Sequence, residues 1–88
     1  MTSPSNYRIH ISPRFRRQLR DAPATLRGHV AGVIALLRVD PITPSALPIL
    51  VDGEDVHTVV FASGRGFLRY EVFPHRRTIV LVDLAWLE

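Results

Sequence analysis

With 88 residues the chain has room for one domain. Chains this short bury only about 60% of their unfolded surface, so the 47% hydrophobic content is what makes an independent core feasible. A charged fraction of 22% and a mean hydropathy of +0.13 exclude a polar disordered chain, and no apolar run nears the roughly 20 residues of a membrane span.

Cysteine is absent, which removes disulfides, thiolate zinc sites, iron–sulfur clusters and a Cys nucleophile together. Neither a metal nor a cofactor is expected. Met1 to Asn6 lacks the cationic and apolar parts of a secretory signal, so the cytoplasm is the expected location. The net charge is +3, and all eleven cations are Arg. Arginine's planar fork suits phosphate and carboxylate, so an acidic protein and a nucleic acid both fit as partners.

Tyr7 to Ile11 alternates apolar and polar residues, the period of a strand with one buried face. Ser12-Pro13 reads as a helix start, with the Ser hydroxyl as N-cap and Pro at the first helical position. This helix should run to about Asp21, with Phe15 and Leu19 on its apolar side. Ala22 to Thr25 breaks it, and Leu26, Val30, Val33 and Leu37, widened by Ile34, repeat at helical spacing. Gly28 and Gly32 on that second helix cost about 1 kcal/mol each relative to Ala, which close backbone approach to the first helix or the sheet would explain.

Asp40-Pro41 stops the helix. The proline-bearing segment Ile42 to Val51 reads as an extended crossing, ending in the turn Asp52 to Asp55. A meander follows: strands His57 to Ala62, Phe67 to Phe73 and Arg77 to Trp86, joined by turns at Ser63 to Gly66 and Pro74 to Arg76. The order is β-α-α-β-β-β, an α+β fold with an antiparallel sheet and a helical hairpin packed on one face. Residues 1–88 form a single domain, with 1–6 expected to be flexible.

Three segments carry a resemblance: Tyr7-Arg8-Ile9-His10-Ile11-Ser12-Pro13-Arg14, the second helix ending at Asp40-Pro41, and Gly66-Phe67-Leu68-Arg69-Tyr70-Glu71-Val72 followed by Thr78-Ile79-Val80-Leu81-Val82. Together they resemble the RelE/ParE superfamily, the toxin halves of bacterial type II toxin–antitoxin pairs. The resemblance covers Tyr7 to Glu88. It implies a role in stress response, an antitoxin partner, and either ribosome-dependent mRNA cleavage or, in the ParE branch, action on DNA gyrase. A homodimer is also an open expectation, and no membrane is implied.

A four-residue turn at Ser63 to Gly66 would set Phe61 against Leu68 and Val59 against Tyr70 on one surface. The other surface would hold Ala62 against Phe67, Val60 against Arg69 and Thr58 against Glu71. Pairing the last two strands about His75 sets Tyr70 against Val80 and Leu68 against Val82. The first surface is apolar and belongs under the helices.

Ribonuclease members, by the resemblance, carry cations on the opposite, open face. Here Thr58, Val60 and Phe67 stand at those positions, and the chain ends Ala85-Trp86-Leu87-Glu88. RNA cleavage through the 2′-hydroxyl needs a base, an acid and cations for the phosphorane charge. The favoured reading is therefore a toxin that acts by binding, through an apolar open face of Val60, Phe67, Leu81 and Leu87 and through Arg14, Arg16, Arg17 and Arg20 of the first helix. The alternative is an mRNA endonuclease with a rearranged site of Arg65, Arg69, Glu71 and His57 or His75. A degenerate, harmless member is a third reading. Each candidate also has a plain role: Arg69 would pair with Glu71 and Asp83, the helix arginines would form a wet face, and the four histidines lack metal-ligand spacing.

Overall fold

The computed structural model describes residues 6–41, 49–51 and 55–87; the expectations of a flexible start at 1–6, an extended crossing at 42–51 and a turn at 52–55 fall wholly or mostly outside these residues. Strand β1 spans Arg8–Ile11, followed by helices α1 (Pro13–Asp21) and α2 (Ala24–Val39) and strands β2 (Ile49–Val51), β3 (Val56–Phe61), β4 (Gly66–Phe73) and β5 (Thr78–Trp86). The sheet order is β1-β5-β4-β3-β2. The α+β class and the helical hairpin on one face are as the sequence implies. Two features differ: β1 runs parallel to β5, and the crossing segment ends in β2, three residues pairing with β3 at the sheet edge. No helix among the described residues is long and apolar enough to cross a membrane.

The core lies between the helices and one sheet face. Phe15, Leu26, Val30, Val33 and Leu37 meet Val59, Phe61, Leu68, Tyr70, Val72, Ile79, Leu81 and Leu84 there. Each large side chain contributes about 1.5–3 kcal/mol on burial. Helix α1 starts as expected: Phe15 N–H donates to Ser12 Oγ at 3.1 Å, with Pro13 at the first position. Gly28 and Gly32 correct the close-approach expectation, because a Cβ on either would meet nothing within 4 Å.

Both hairpin registers differ from expectation, for local reasons. The β3–β4 turn is Ala62 to Arg65, with Ala62, Ser63 and Gly64 all at positive φ. Phe61 therefore faces Gly66, and Val59 faces Leu68. The Phe61 ring lies over Gly66, where an added Cβ would come within 2.5 Å of a ring carbon. Only glycine fits beneath that ring. This two-residue slip preserves the faces.

Between β4 and β5, the turn Pro74–Arg76 is followed by Arg77 in the left-handed region at φ 47°, which lengthens the connection by one residue. Tyr70 then faces Leu81, not Val80, and a bulge between Arg69 and Tyr70 moves Leu68 opposite Leu84. Leu81 is consequently 0% exposed, in the core rather than on the open face.

Tyr70 anchors the helix exit to the sheet. It is fully buried, and its hydroxyl donates to the Pro41 carbonyl at 2.6 Å. Burial, with a smaller contribution from the Asp40 carboxylate, pushes its pKa up to about 12 from 10.0. The folded protein thus keeps a proton that the unfolded chain releases, so this stabilisation is complete below pH 10 and is lost as pH rises toward 12. Tyr70→Phe should cost roughly 1–2 kcal/mol at neutral pH, by leaving the Pro41 carbonyl without its donor. It should also flatten the alkaline decline, which for wild type amounts to roughly 2–3 kcal/mol. Urea unfolding across alkaline pH measures both, and an equally steep decline in the variant would contradict the assignment.

Candidate functional site

The strand period of β1 sends Ile9 and Ile11 toward the core and leaves Arg8 and His10 exposed on the open face. Parallel pairing sets Arg8 beside Thr78 and His10 beside Val80. Thr78 and Val80 in turn face Phe73 and Glu71 on β4. The turn after β4 adds Arg76. Together with Ile11 and Ser12, residues Arg8, His10, Phe73, Arg76, Thr78 and Val80 line a cleft of about 670 Å³.

Two guanidinium groups and an imidazole line this cleft, and among the described residues no carboxylate does. Among the described residues none of the three forms an ion pair. Glu71 is the nearest carboxylate by register, in the same cross-strand row as His10 with Val80 between them. Their Cα atoms are thus two strand spacings apart, about 10 Å. The expectation of an apolar open face is corrected here. Thr58, Val60 and Phe67 do leave their positions without cations, but β1 and the β4–β5 turn supply them. The His10 imidazole gives the cleft one side chain that can act as proton donor or acceptor.

Helix α1 closes the sheet edge beyond the end of β1. Ser12 N–H donates to the Leu81 carbonyl at 3.1 Å, and Ser12 Oγ–H donates to the Val82 carbonyl at 3.3 Å. Gln18 accepts from Leu84 N–H at 2.8 Å and donates to Asp83 Oδ1 at 2.6 Å. Asp83 also pairs with Arg14 Nε at 3.3 Å. Arg69 stands across from Asp83 in register, but that carboxylate is directed to α1.

The five residues proposed for a rearranged nuclease site do not converge. Arg69 and Glu71 share the open face. Arg65 and His75 sit in turns at opposite ends of β4, whose eight residues span about 27 Å at about 3.4 Å each. His57 is on the core face, only 5% exposed, with its ring centroid 5.4 Å from that of Tyr70 and neither ring nitrogen hydrogen-bonded. Of the binding set, Arg14, Arg16, Arg17 and Arg20 are exposed along α1. Val60 and Phe67 are half-buried cross-strand partners on the open face. Leu81 is in the core. Leu87 is 61% exposed beside Arg65, at the end of the sheet remote from the cleft. Among the described residues no three His, Asp or Glu side chains group as metal ligands.

The sequence reading overlooked Arg8 and His10. Their alternation with Ile9 and Ile11 marks them as solvent-facing, but a strand's period does not name its neighbour, and the cleft exists only because β1 lies beside β5.

Solved structures place this architecture among small bacterial and archaeal toxin folds. The isolated E. coli RelE toxin superposes with a TM-score of 0.78 at 16% identity, covering 93% of this chain and 85% of that one. The toxin in the intact E. coli RelBE toxin–antitoxin complex gives 0.76 at 17%, covering 93% and 98%. The archaeal RelE–RelB complex from Pyrococcus horikoshii gives 0.71 at 18%, covering 92% and 94%. No family model and no curated protein matches the sequence. The chain has the RelE-like toxin fold.

His57 gives a direct check on which face works. Replacing a buried imidazole that has two unmatched nitrogens by Leu should raise stability by about 1–2 kcal/mol and leave open-face binding unchanged. Urea midpoints of His57→Leu against wild type measure this, and a loss of stability would contradict it.

Proposed function

We propose that the protein is the toxin half of a toxin–antitoxin pair and that its target is RNA, engaged at the open-face cleft. The antitoxin partner is supported by the neighbouring structures, two of which are complexes with one. The RNA target is supported by one observation: Arg8, His10 and Arg76 line a solvated cleft without a carboxylate. Guanidinium groups grip phosphate oxygens in charge-assisted, often bidentate bonds. Phe73, 39% exposed beside them, offers a ring face for an unpaired base, the usual mode of single-stranded RNA recognition.

With Glu71, two strands over in the same cross-strand row as His10, these residues supply what strand scission through the 2′-hydroxyl requires. As the 2′-oxygen bonds to phosphorus and the bond from phosphorus to the 5′-oxygen breaks, Arg8 and Arg76 hold the charge that builds on the phosphate. His10 moves a proton at one of the two oxygens, and Glu71 is the carboxylate for the other. The ends left are a 2′,3′-cyclic phosphate and a 5′-hydroxyl. A second reading, adhesion without cleavage, draws on Val60 and Phe67, which keep part of the same face apolar.

Fluorescence anisotropy of a labelled single-stranded RNA across a salt series tests the RNA reading. Each phosphate contact contributes about 0.7 to the slope of log affinity against log salt, so Arg8→Ala with Arg76→Ala should lower it by about 1.4 and weaken binding by more than tenfold. His10→Gln should retain affinity and lose cleavage. An unchanged slope in the double variant would overturn the RNA reading. Full affinity with no cleavage by wild type, with or without ribosomes, would favour adhesion.

A further inference from the structure

At the end of the sheet remote from the cleft, a second cavity of about 630 Å³ lies between the start of α2 and the β3–β4 turn. Its apolar lining comes from Leu26, Ala62, Trp86 and Leu87, its cationic lining from Arg65, and His29 adds an imidazole. Among the described residues no carboxylate lines it. Its size falls within the roughly 300–1,000 Å³ of ligand pockets, and apolar walls with a few convergent polar groups are their usual make-up.

The turn that carries Arg65 is held in an unfavourable shape. Ala62 and Ser63 have φ of 54° and 57°, a region that L side chains avoid, and such geometry persists only where surrounding contacts over-determine it. Arg65 N–H donates to the Ala62 carbonyl at 3.1 Å, and Leu87 N–H donates to the Arg65 carbonyl at 2.8 Å. These two bonds fix the Arg65 backbone beside Leu87, and both residues line the cavity with Trp86. Among the described residues its guanidinium has no ion-pair partner. Leu87, at 61% exposure, is a large apolar side chain left in solvent next to that guanidinium-bearing residue.

We infer that this cavity is a docking site for an acidic, apolar segment of a partner protein, which seats an apolar side chain against Trp86 and Leu26 and a neighbouring carboxylate on Arg65. Charge complementarity selects this occupant. An uncharged apolar segment would leave the Arg65 guanidinium unmatched at the contact, and a basic one would be repelled by it. The site stands independently of the RNA reading. The strand β4 separates it from the cleft, so a partner seated here leaves Arg8, His10 and Arg76 open, and occupancy of one site is compatible with occupancy of the other.

Trp86 is the chain's single tryptophan, so its emission reports occupancy directly. The full chain is titrated with acetyl-Leu-Phe-Glu-Leu-amide, its Gln counterpart, acetyl-phenylalanine and a short single-stranded RNA. The Glu peptide should shift the emission to saturation and bind at least about tenfold tighter than the Gln peptide, as expected for a charge-assisted pair. Arg65→Gln, at an exposed turn position, should abolish that difference while leaving the thermal midpoint and the response to RNA at the cleft unchanged. Four results would overturn the inference: no emission change into the millimolar range, equal affinity for the Glu and Gln peptides, acetyl-phenylalanine binding as tightly as the peptide, or RNA displacing the peptide. The third would mark a small-molecule site, and the fourth a nucleic-acid surface.

Discussion

The parallel ladder between β1 and β5 is the constraint on which the rest of the molecule depends. It is short, four residue pairs from Arg8↔Thr78 to Ile11↔Leu81, yet it settles three things at once. It completes the core face with Ile9 and Ile11, it brings Arg8 and His10 onto the open face, and it delivers Ser12 to the point where α1 must begin. Parallel pairing needs a long crossover between its strands. Here the helical hairpin begins that connection, so covering the core and charging the open face follow from the same connectivity.

Where β1 ends, β5 continues to Trp86, and its exposed edge is a liability that α1 manages. The Ser12 hydroxyl and the Gln18 amide take over the bonding of Val82 and Leu84 that a further strand would have provided. Asp83, held by Gln18 and Arg14, is thereby directed to the helix. The acidic charge of β5 is used to fasten α1, and the cleft lining next to it is left with cations and no carboxylate.

Much of this was legible from residues. The stripe Leu26, Val30, Val33 and Leu37 is buried throughout, the Ser12-Pro13 cap is present, and Leu68, Tyr70 and Val72 take the core face. Registers were less legible, because they turn on single local events: the Phe61 ring seated on Gly66, Arg77 in the left-handed region, and a bulge beside Arg69 that no hydrophobic pattern announces. Leu81 changed faces for this reason. The cleft was legible only in parts. Arg8, His10 and Arg76 are all readable as exposed basic residues, but their convergence is a property of strand order, which the period of a strand does not encode.

The sheet thus carries a cleft lined by Arg8, His10 and Arg76 at the β4–β5 turn and an apolar cavity beside Arg65 at the β3–β4 turn. The claim that the first of these is the target-facing site is tested most directly by amide and side-chain NMR shifts on titration with a short single-stranded RNA. Saturable shifts concentrated at Arg8, His10, Phe73, Arg76 and Thr78, with Arg65 and Trp86 unmoved, are the predicted result. Shifts confined to the α1 arginines or to the Trp86 end, or none at all, would contradict it.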